Sequence, residues 1–516
     1  MTKKLPKSLQ VFLILILALF LLTRKIDKPF WGHHDWNSVV YSNIARNYIR
    51  YGYIKTKFGQ VTSVDLQKPE HFTYITHYPP LLPILISINF RIFGQSELAA
   101  RSTIVLFSLI LIFFIYEIGN ELGGKLMGSL ASISLTLTPI FMYFGKLPVH
   151  DTIVPAISAA GFWSYIRYIK TKSNKYYALL AITIIIGGLI NWSAYYLVPA
   201  LLFMQITTKA GKQIRGNIYK LMPLAILIFL IQIIHTNILD SASTGSIFSN
   251  VLERIDPYLT SSLYGFAFFK YIRQELLYLR IYYTMPVFLG SAFFILLTLF
   301  NIFKKQRRLN SEQLFIYALF IYGAIQLVLF SQLSFIHDYM IYYLAPFMSL
   351  SFAYIATKMI DPFKKSLICP ILLIGIFYFI FVSQLKFTKA LIATDTNKRG
   401  FLVGQLINKE SPSGSLSYIT SNSYKEFQEV FIGYYSDRNV SYGESLPRDF
   451  ESKYELIVRP KDHDPLPVEQ KEILDTRYLR YEDNNFIWYK TKFTRSKFNV
   501  SSLRSLQHLE ATDFHQ

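Results

Sequence analysis

LQVFLILILALFLLTRKIDKPFWGHHD, residues Leu9 to Asp35, sets the reading of the whole chain. Its first half is an apolar run without a small-residue cleavage site, and further runs follow it. It therefore reads as a retained membrane span and not as a removed signal peptide. Runs of this kind recur to about residue 385. Of 516 residues 52% are hydrophobic and only 17% charged, which makes the chain a polytopic membrane protein with a soluble tail. The second half of the stretch ends in Trp31-Gly32-His33-His34-Asp35. Helix ends at a membrane surface usually carry Trp, Tyr, Lys or Arg, so an acidic residue flanked by histidines points to chemistry. A second such pair, His150-Asp151, stands at the mouth of a later span.

Charge decides whether the two mouths share a face. The segment Pro79–Phe93 is apolar, but it is short and carries Pro79, Pro80 and Pro83. A helix of that length reaches roughly 22 Å, less than the roughly 30 Å hydrocarbon core. If it does not cross, all the later basic loops fall on the side of Lys3, Lys4 and Lys7. These loops hold Arg167, Lys170, Lys172 and Lys175, then Lys209, Lys212, Arg215 and Lys220, then Lys304, Lys305, Arg307 and Arg308, and last Lys358, Lys364 and Lys365. Crossing would place them all outside, against the positive-inside rule, so Pro79–Phe93 is read as an interfacial helix.

The expected fold is an α-helical polytopic membrane protein of about eleven transmembrane helices, with interfacial helices in the first outer loop. The spans are placed near 9–26, 102–119, 125–143, 152–169, 176–190, 194–208, 221–238, 281–303, 312–331, 339–357 and 366–384. Residues 1–385 form the membrane domain, with its first outer loop at 27–101, and residues 386–516 a small soluble α/β domain on the outer face. On this topology Asp35, Asp151, Glu70, His71, His77, the 239–280 loop and His337-Asp338 all face outward. After Asp35, Trp36, Val40, Ile44 and Tyr48 recur at four-residue spacing and predict a short amphipathic surface helix.

The tail has a different pattern. Ser415–Thr420 and Tyr454–Val458 are predicted strands, Tyr424–Tyr435 and Val468–Asp475 helices, and Tyr478–Tyr481 with Phe486–Tyr489 a hairpin. The last twenty or so residues are expected to lack order. The net charge of +20 lies mostly in short loops between spans, which is the footprint of topology and anionic lipid and discounts nucleic acid. The only cysteine, Cys369, lies within a span, so one chain forms no disulfide and no thiolate metal site.

The order of motifs resembles the C-type membrane glycosyltransferases that use polyprenyl-phosphate sugars. Within these it is closest to the branch of protein O-mannosyltransferases and lipid A aminoarabinose transferases. The resembling residues are Asp35 with Tyr41 and Arg46, then His77-Tyr78-Pro79-Pro80-Leu81, then Phe93-Gly94 with Glu97 and Arg101. The run Tyr143-Phe144-Gly145-Lys146-Leu147-Pro148-Val149-His150-Asp151 follows, and later His337-Asp338-Tyr339 with Tyr342-Tyr343-Leu344-Ala345-Pro346. The chain departs from that branch at His33 and His34, where acidic residues often cluster, and at His77-Tyr78, where the aminoarabinose transferases carry Glu-Lys. The resemblance implies transfer with inversion of a sugar from a polyprenyl-phosphate donor to a hydroxyl of a lipid, glycan or protein. The enzyme would be a multi-pass protein of the bacterial plasma (inner) membrane, its active site facing the periplasm. The runner-up is an oligosaccharide ligase or polymerase using a lipid-diphosphate donor. A non-catalytic protein for envelope-polysaccharide assembly or lipid flipping is the third reading. A transporter is disfavoured, because ionisable residues avoid the middles of the spans.

The reaction needs a base on the acceptor and charge neutralisation on the departing phosphate. A carboxylate is ionised at neutral pH and accepts the hydroxyl proton as the new bond forms. Asp35 is assigned that role. Asp151 either positions the acceptor or, with His33, His34 or His150, holds a divalent metal, the one cofactor considered. Arg273, Arg280, Lys270, His77 and Arg101 are the candidates for the donor phosphate. Each residue also has a structural reading. Asp35 and Asp151 precede helical patterns and would serve as N-caps, and Arg273 and Arg280 would snorkel at the interface. His33 and His34 would be solvated, since adjacent rings rarely meet one ion, and His337-Asp338 reads as a plain turn.

Overall fold

The computed structural model describes residues 6–208, 211, 218–240, 266–304, 309–363, 366, 368–462 and 466–492. Several topology markers lie outside these residues, namely Lys3, Lys4, Lys209, Lys212, Arg215, Lys305, Arg307, Arg308, Lys364 and Lys365, as do most of the 239–280 loop and the terminal segment. The chain divides into two compact units, Met1–Ser63 with Pro69–Asp395, and Val64–Lys68 with Thr396–Gln516.

The first unit is helical, and each expected span falls on a helix. These are Lys7–Leu22, the two arms of Glu97–Thr136, His150–Thr171, Asn174–Ile190, Leu197–Thr207, Leu221–Leu239, Met285–Phe303, Ser311–Leu329, Ala345–Ile360 and Ile368–Ser383. Among the described residues six helices are long and apolar enough to cross a membrane, while Lys7–Leu22, Leu81–Phe93 and Asn174–Ile190 are apolar but shorter. The outer helices turn large apolar side chains away from the protein. Ile226, Leu230, Ile234 and Ile238 do so on one helix, and Leu289, Phe293, Leu296 and Phe300 on another. Such faces suit lipid and not water.

Local chemistry sets several boundaries. Ser96 caps the helix at Glu97 by accepting from the Ala99 amide at 3.2 Å. Asn310 and Gln313 form a reciprocal capping box before Ser311–Leu329. Gly123 and Gly124 leave helical geometry, Gly124 with φ +80°, and fold residues 97–136 into a helical hairpin. The arms touch closely: a Cβ on Gly128 would lie 2.6 Å from the Tyr116 carbonyl oxygen.

The first loop is a built structure. Helix Asp35–Tyr51 buries Val40, Ile44 and Tyr48 as its periodicity predicts, while Trp36 is exposed. Its polar face is also occupied. Asn47 donates to the carbonyls of Val61 and Ser63 at 2.9 and 2.8 Å, and Asn43 to that of Thr62 at 2.7 Å. These bonds hold the ribbon in which β1 (Gln60–Val61) pairs antiparallel with β2 (Tyr74–Ile75). Leu81–Phe93 is a helix, with Leu82, Ile86 and Phe90 buried and Ile88, Ile92 and Phe93 exposed. Among the helices not foreseen are Phe266–Tyr282, in what the sequence suggests is loop, and Leu385–Ala393, past the last expected span.

In the second unit β3 (Leu416–Ile419), β4 (Asn439–Tyr442), β5 (Leu456–Pro460), β6 (Tyr478–Glu482) and β7 (Phe486–Thr491) form one sheet, ordered β4-β3-β5-β7-β6. β3 is parallel to β4 and β5, and β7 is antiparallel to β5 and β6. Side chains alternate between two cores, Tyr418, Ile457 and Tyr489 in one, Ile419, Leu456, Val458 and Phe486 in the other. The helices Asn422–Ser436 and Val468–Arg477 and the hairpin stand where predicted, while the helix Lys398–Glu410 and the strand β4 were missed. The Asp65 carboxylate, from the first loop, accepts from the Ser413 hydroxyl at 3.1 Å and the Gly414 amide at 3.0 Å, and the Asp65 amide donates to Asp437 at 3.1 Å.

Candidate active site

Asp35 is the first residue of its helix and is buried. It accepts from the Gly32 amide at 2.8 Å and from the Ser38 hydroxyl at 2.9 Å. The Arg101 guanidinium lies 3.3 and 3.4 Å from its two oxygens. A Cβ at Gly32 would stand 2.9 Å from the Tyr143 hydroxyl and 3.1 Å from the Asp35 carboxylate, so any side chain here would push on both.

Arg101 is committed elsewhere as well. It donates to the Ile26 carbonyl at 3.0 Å and to that of Lys28, and it lies over the Phe30 ring at 4.7 Å. It braces the start of the loop and is not a free phosphate contact, which corrects one of the assignments made from sequence. Two lysines share the neighbourhood of Asp35. Lys28 donates to the carbonyls of Ile392, at 3.0 Å, and Thr394, and burial lowers its ammonium below the ordinary lysine range. Lys146 is buried and donates to the Arg24 carbonyl. Burial, reinforced by the Arg101 charge, pulls its pKa down to about 7.

The histidines before Asp35 meet a partner that is remote in sequence. His34 has φ +59°, a left-handed conformation that bulky residues seldom adopt. His33 Nε2 lies 2.8 Å from Asp338 Oδ2, and His34 Nε2 lies 2.9 Å from Oδ1. The Tyr282 hydroxyl also donates to Asp338, and that of Tyr143 donates to the His33 carbonyl at 2.7 Å. Asp338 is only 6% exposed, so the plain turn expected at His337-Asp338 is instead a buried carboxylate opening the 3-10 helix Asp338–Leu344. Glu275, also buried, has no hydrogen-bond partner for either oxygen among the described residues. Burial, with the Asp338 charge adding to it, pushes its carboxyl up to about 8.

Asp151 lies at the other end of that 3-10 segment. Its Oδ1 accepts from the Tyr343 hydroxyl at 2.7 Å and from the Asn191 amide at 3.1 Å. Ser193 steadies Tyr343 at 2.5 Å. At about 2 Å rise per residue, the five positions from Asp338 to Tyr343 set the two clusters roughly 10 Å apart. His150 belongs with Asp151, its Nδ1 being 3.8 Å from Oδ2, and packs its ring on Tyr78 and Tyr41 at centroid distances of 3.8 and 5.2 Å. Of the three histidines considered for a metal, His33 and His34 gather on Asp338 and His150 lies with Asp151. Asp338 was missed as a site residue, although His337-Asp338-Tyr339 was the available signal.

The remaining phosphate candidates are dispersed. On helix Phe266–Tyr282 the buried side is Tyr271, Glu275 and Tyr282, whereas Arg273 and Arg280 are exposed about half a turn away. Lys270 is exposed and lies over the Phe335 ring at 5.4 Å. No ion pair between these three and Asp35 or Asp151 stands among the contacts of the described residues. His77 is half-buried and precedes Tyr78, which lines a cavity with Gln60, Trp192, Gln232 and His235.

Residues 77–235 match the family model described as dolichyl-phosphate-mannose-protein mannosyltransferase. No curated protein matches the chain by sequence. Among solved structures the chain is similar to ArnT from Cupriavidus metallidurans in the apo state, with TM-score 0.58 and 11% identity over 93% of this chain and 97% of that one. It is also similar to the oligosaccharyltransferase of Archaeoglobus fulgidus in complex with zinc and sulfate, with TM-score 0.57 and 12% identity over 93% of this chain and 73% of that one. Residues 77–235 thus resemble a mannosyltransferase family, and the chain shares its overall fold with these two solved membrane proteins.

Proposed function

We propose that the protein transfers a sugar from a polyprenyl-phosphate donor to an acceptor hydroxyl, with inversion, on the outer face of the membrane. The observation that carries this reading is the pair of buried carboxylates, Asp35 and Asp151, each at the start of a helix inside a chain of this fold. ArnT has been solved bound to undecaprenyl phosphate, and the archaeal oligosaccharyltransferase AglB with a dolichol-phosphate, which supports a lipid-phosphate donor here.

Asp35 is the base. Three donors already orient it, and a carboxylate with about four lone-pair directions retains capacity for the acceptor proton. The acceptor oxygen forms the new bond to the anomeric carbon as its proton passes to Asp35. The old bond to the phosphate breaks with its electron pair, leaving polyprenyl phosphate. Asp151, held by Tyr343 and Asn191, positions the acceptor. His77, half-buried beside Tyr78, is the phosphate contact in this reading. Purified protein should transfer label from a polyprenyl-phosphate sugar and ignore nucleotide sugars, whose enzymes usually hold the diphosphate on a soluble nucleotide-binding fold. Transfer from a nucleotide sugar without lipid carrier would overturn the reading. Release of lipid diphosphate would instead favour the ligase that the oligosaccharyltransferase likeness suggests.

A further inference from the structure

We propose that His33, His34 and Asp338 bind one zinc ion. Their ligand atoms, two imidazole nitrogens and a carboxylate oxygen, all lie within 4.8 Å of one another. Two imidazoles and a carboxylate are a donor set that zinc accepts in tetrahedral geometry, with a fourth position left for solvent or an anionic oxygen. Bonds of about 2.0–2.2 Å to zinc place neighbouring ligand atoms a little over 3 Å apart in a tetrahedron. The 2.8 and 2.9 Å separations between each Nε2 and its own carboxylate oxygen need to open slightly, and the wider separations, within 4.8 Å, to close, for one ion to meet all three.

Three further features point the same way. Side chains of adjacent residues ordinarily diverge, yet here both rings reach one carboxylate, their centroids 4.0 Å apart. The left-handed turn at His34 accompanies that convergence, and a backbone held in a sparsely populated region often marks a functional constraint. Secondly, the outer contacts are in place. Tyr282 donates to Asp338, and Tyr143 fixes the His33 backbone, as supporting partners do around metal ligands. Thirdly, Glu275 lies buried within the electrostatic reach of Asp338 and has no partner among the described residues. A buried polar group without a partner is costly, so this side of the cluster has room in its hydrogen bonding for a further ligand.

The reading is independent of the transfer reaction, because its test measures metal and not turnover. The full-length protein in detergent, stripped with chelator and passed through a desalting column, is titrated with zinc chloride and separately with cobalt chloride. One zinc per chain should remain bound, and the cobalt form should show the visible absorption of a four-coordinate site. His34→Ala and Asp338→Asn should each weaken zinc binding at least about a hundredfold. His71→Ala, which removes an exposed imidazole, should leave it unchanged. Substoichiometric zinc, or zinc binding indifferent to His34→Ala and Asp338→Asn, would overturn the proposal. If those variants fail to fold, X-ray absorption of the zinc-loaded wild type decides. Two imidazole ligands support the site, and one or none refutes it.

Discussion

Asp35→Asn removes a base and also half of a buried ion pair. Stranding the Arg101 charge should cost about 3–5 kcal/mol, so activity and stability have to be read together. We expect transfer to fall by roughly 10²–10⁴-fold, the usual contribution of a general base. Arg101→Met should lower the melting temperature comparably while keeping more of the turnover, because it spares Asp35. Equal losses of turnover in the two variants would reduce Asp35 to a strut. Tyr343→Phe should cost less than Asp35→Asn, since it removes one of two donors that orient Asp151. Lys146 carries a pH signature of its own. Its folded pKa, near 7, lies below the ordinary lysine value of 10.5. Between those values the unfolded chain binds the extra proton, so this residue makes stability rise with pH through that window and holds it down below. The melting-temperature gain of Lys146→Met over wild type should therefore be larger at pH 6 than at pH 10, and a gain that does not change with pH would contradict the burial argument.

Elements built from periodic apolar sequence were the ones legible in advance. The spans, the helix after Asp35, and the strands and hairpin of the tail all carry periods that the structure repeats. What escaped was chemistry that no local pattern encodes. Helix Phe266–Tyr282 mixes charge among its apolar residues, so it reads as loop although Tyr271, Glu275 and Tyr282 share one buried stripe. Asp338 stands more than three hundred positions from His33, and only the fold reveals that a polar pair in an apparent turn is a shared partner. Arg273 and Arg280 were chosen for proximity to a span mouth, and the structure adds that both are exposed, opposite the buried stripe. The helical hairpin at Gly123-Gly124 yields its own test. Gly128→Ala would press a methyl against the Tyr116 carbonyl at 2.6 Å, where backbone must give way. Overpacking of this kind costs about 1–3 kcal/mol, so the variant should melt below wild type, whereas Gly375→Ala, in open space, should not.

At the scale of the whole molecule the orientation in the membrane is what labelling tests. With Cys369 replaced by Ala, cysteines at the exposed positions Asn174 and Ser311 should resist an impermeant thiol reagent in intact cells, and one at Ser423 should react. Labelling of positions 174 and 311 from outside would mean that Pro79–Phe93 crosses, and Asp35 and Asp151 would no longer share a face. The positive-inside argument then fails together with the shared site.

The five residues Val64–Lys68 impose an order on biosynthesis. Asp65 leaves the ribosome 348 residues before Ser413, the partner it binds. At roughly 5–20 residues per second that is a wait of about 17–70 seconds. During it the first loop has no finished sheet to join, and water fills the hydrogen bonds of its carboxylate. The soluble unit closes only when the last strands have been made, and a stop codon anywhere in the final sheet would leave a defect in the first loop, at the opposite end of the message.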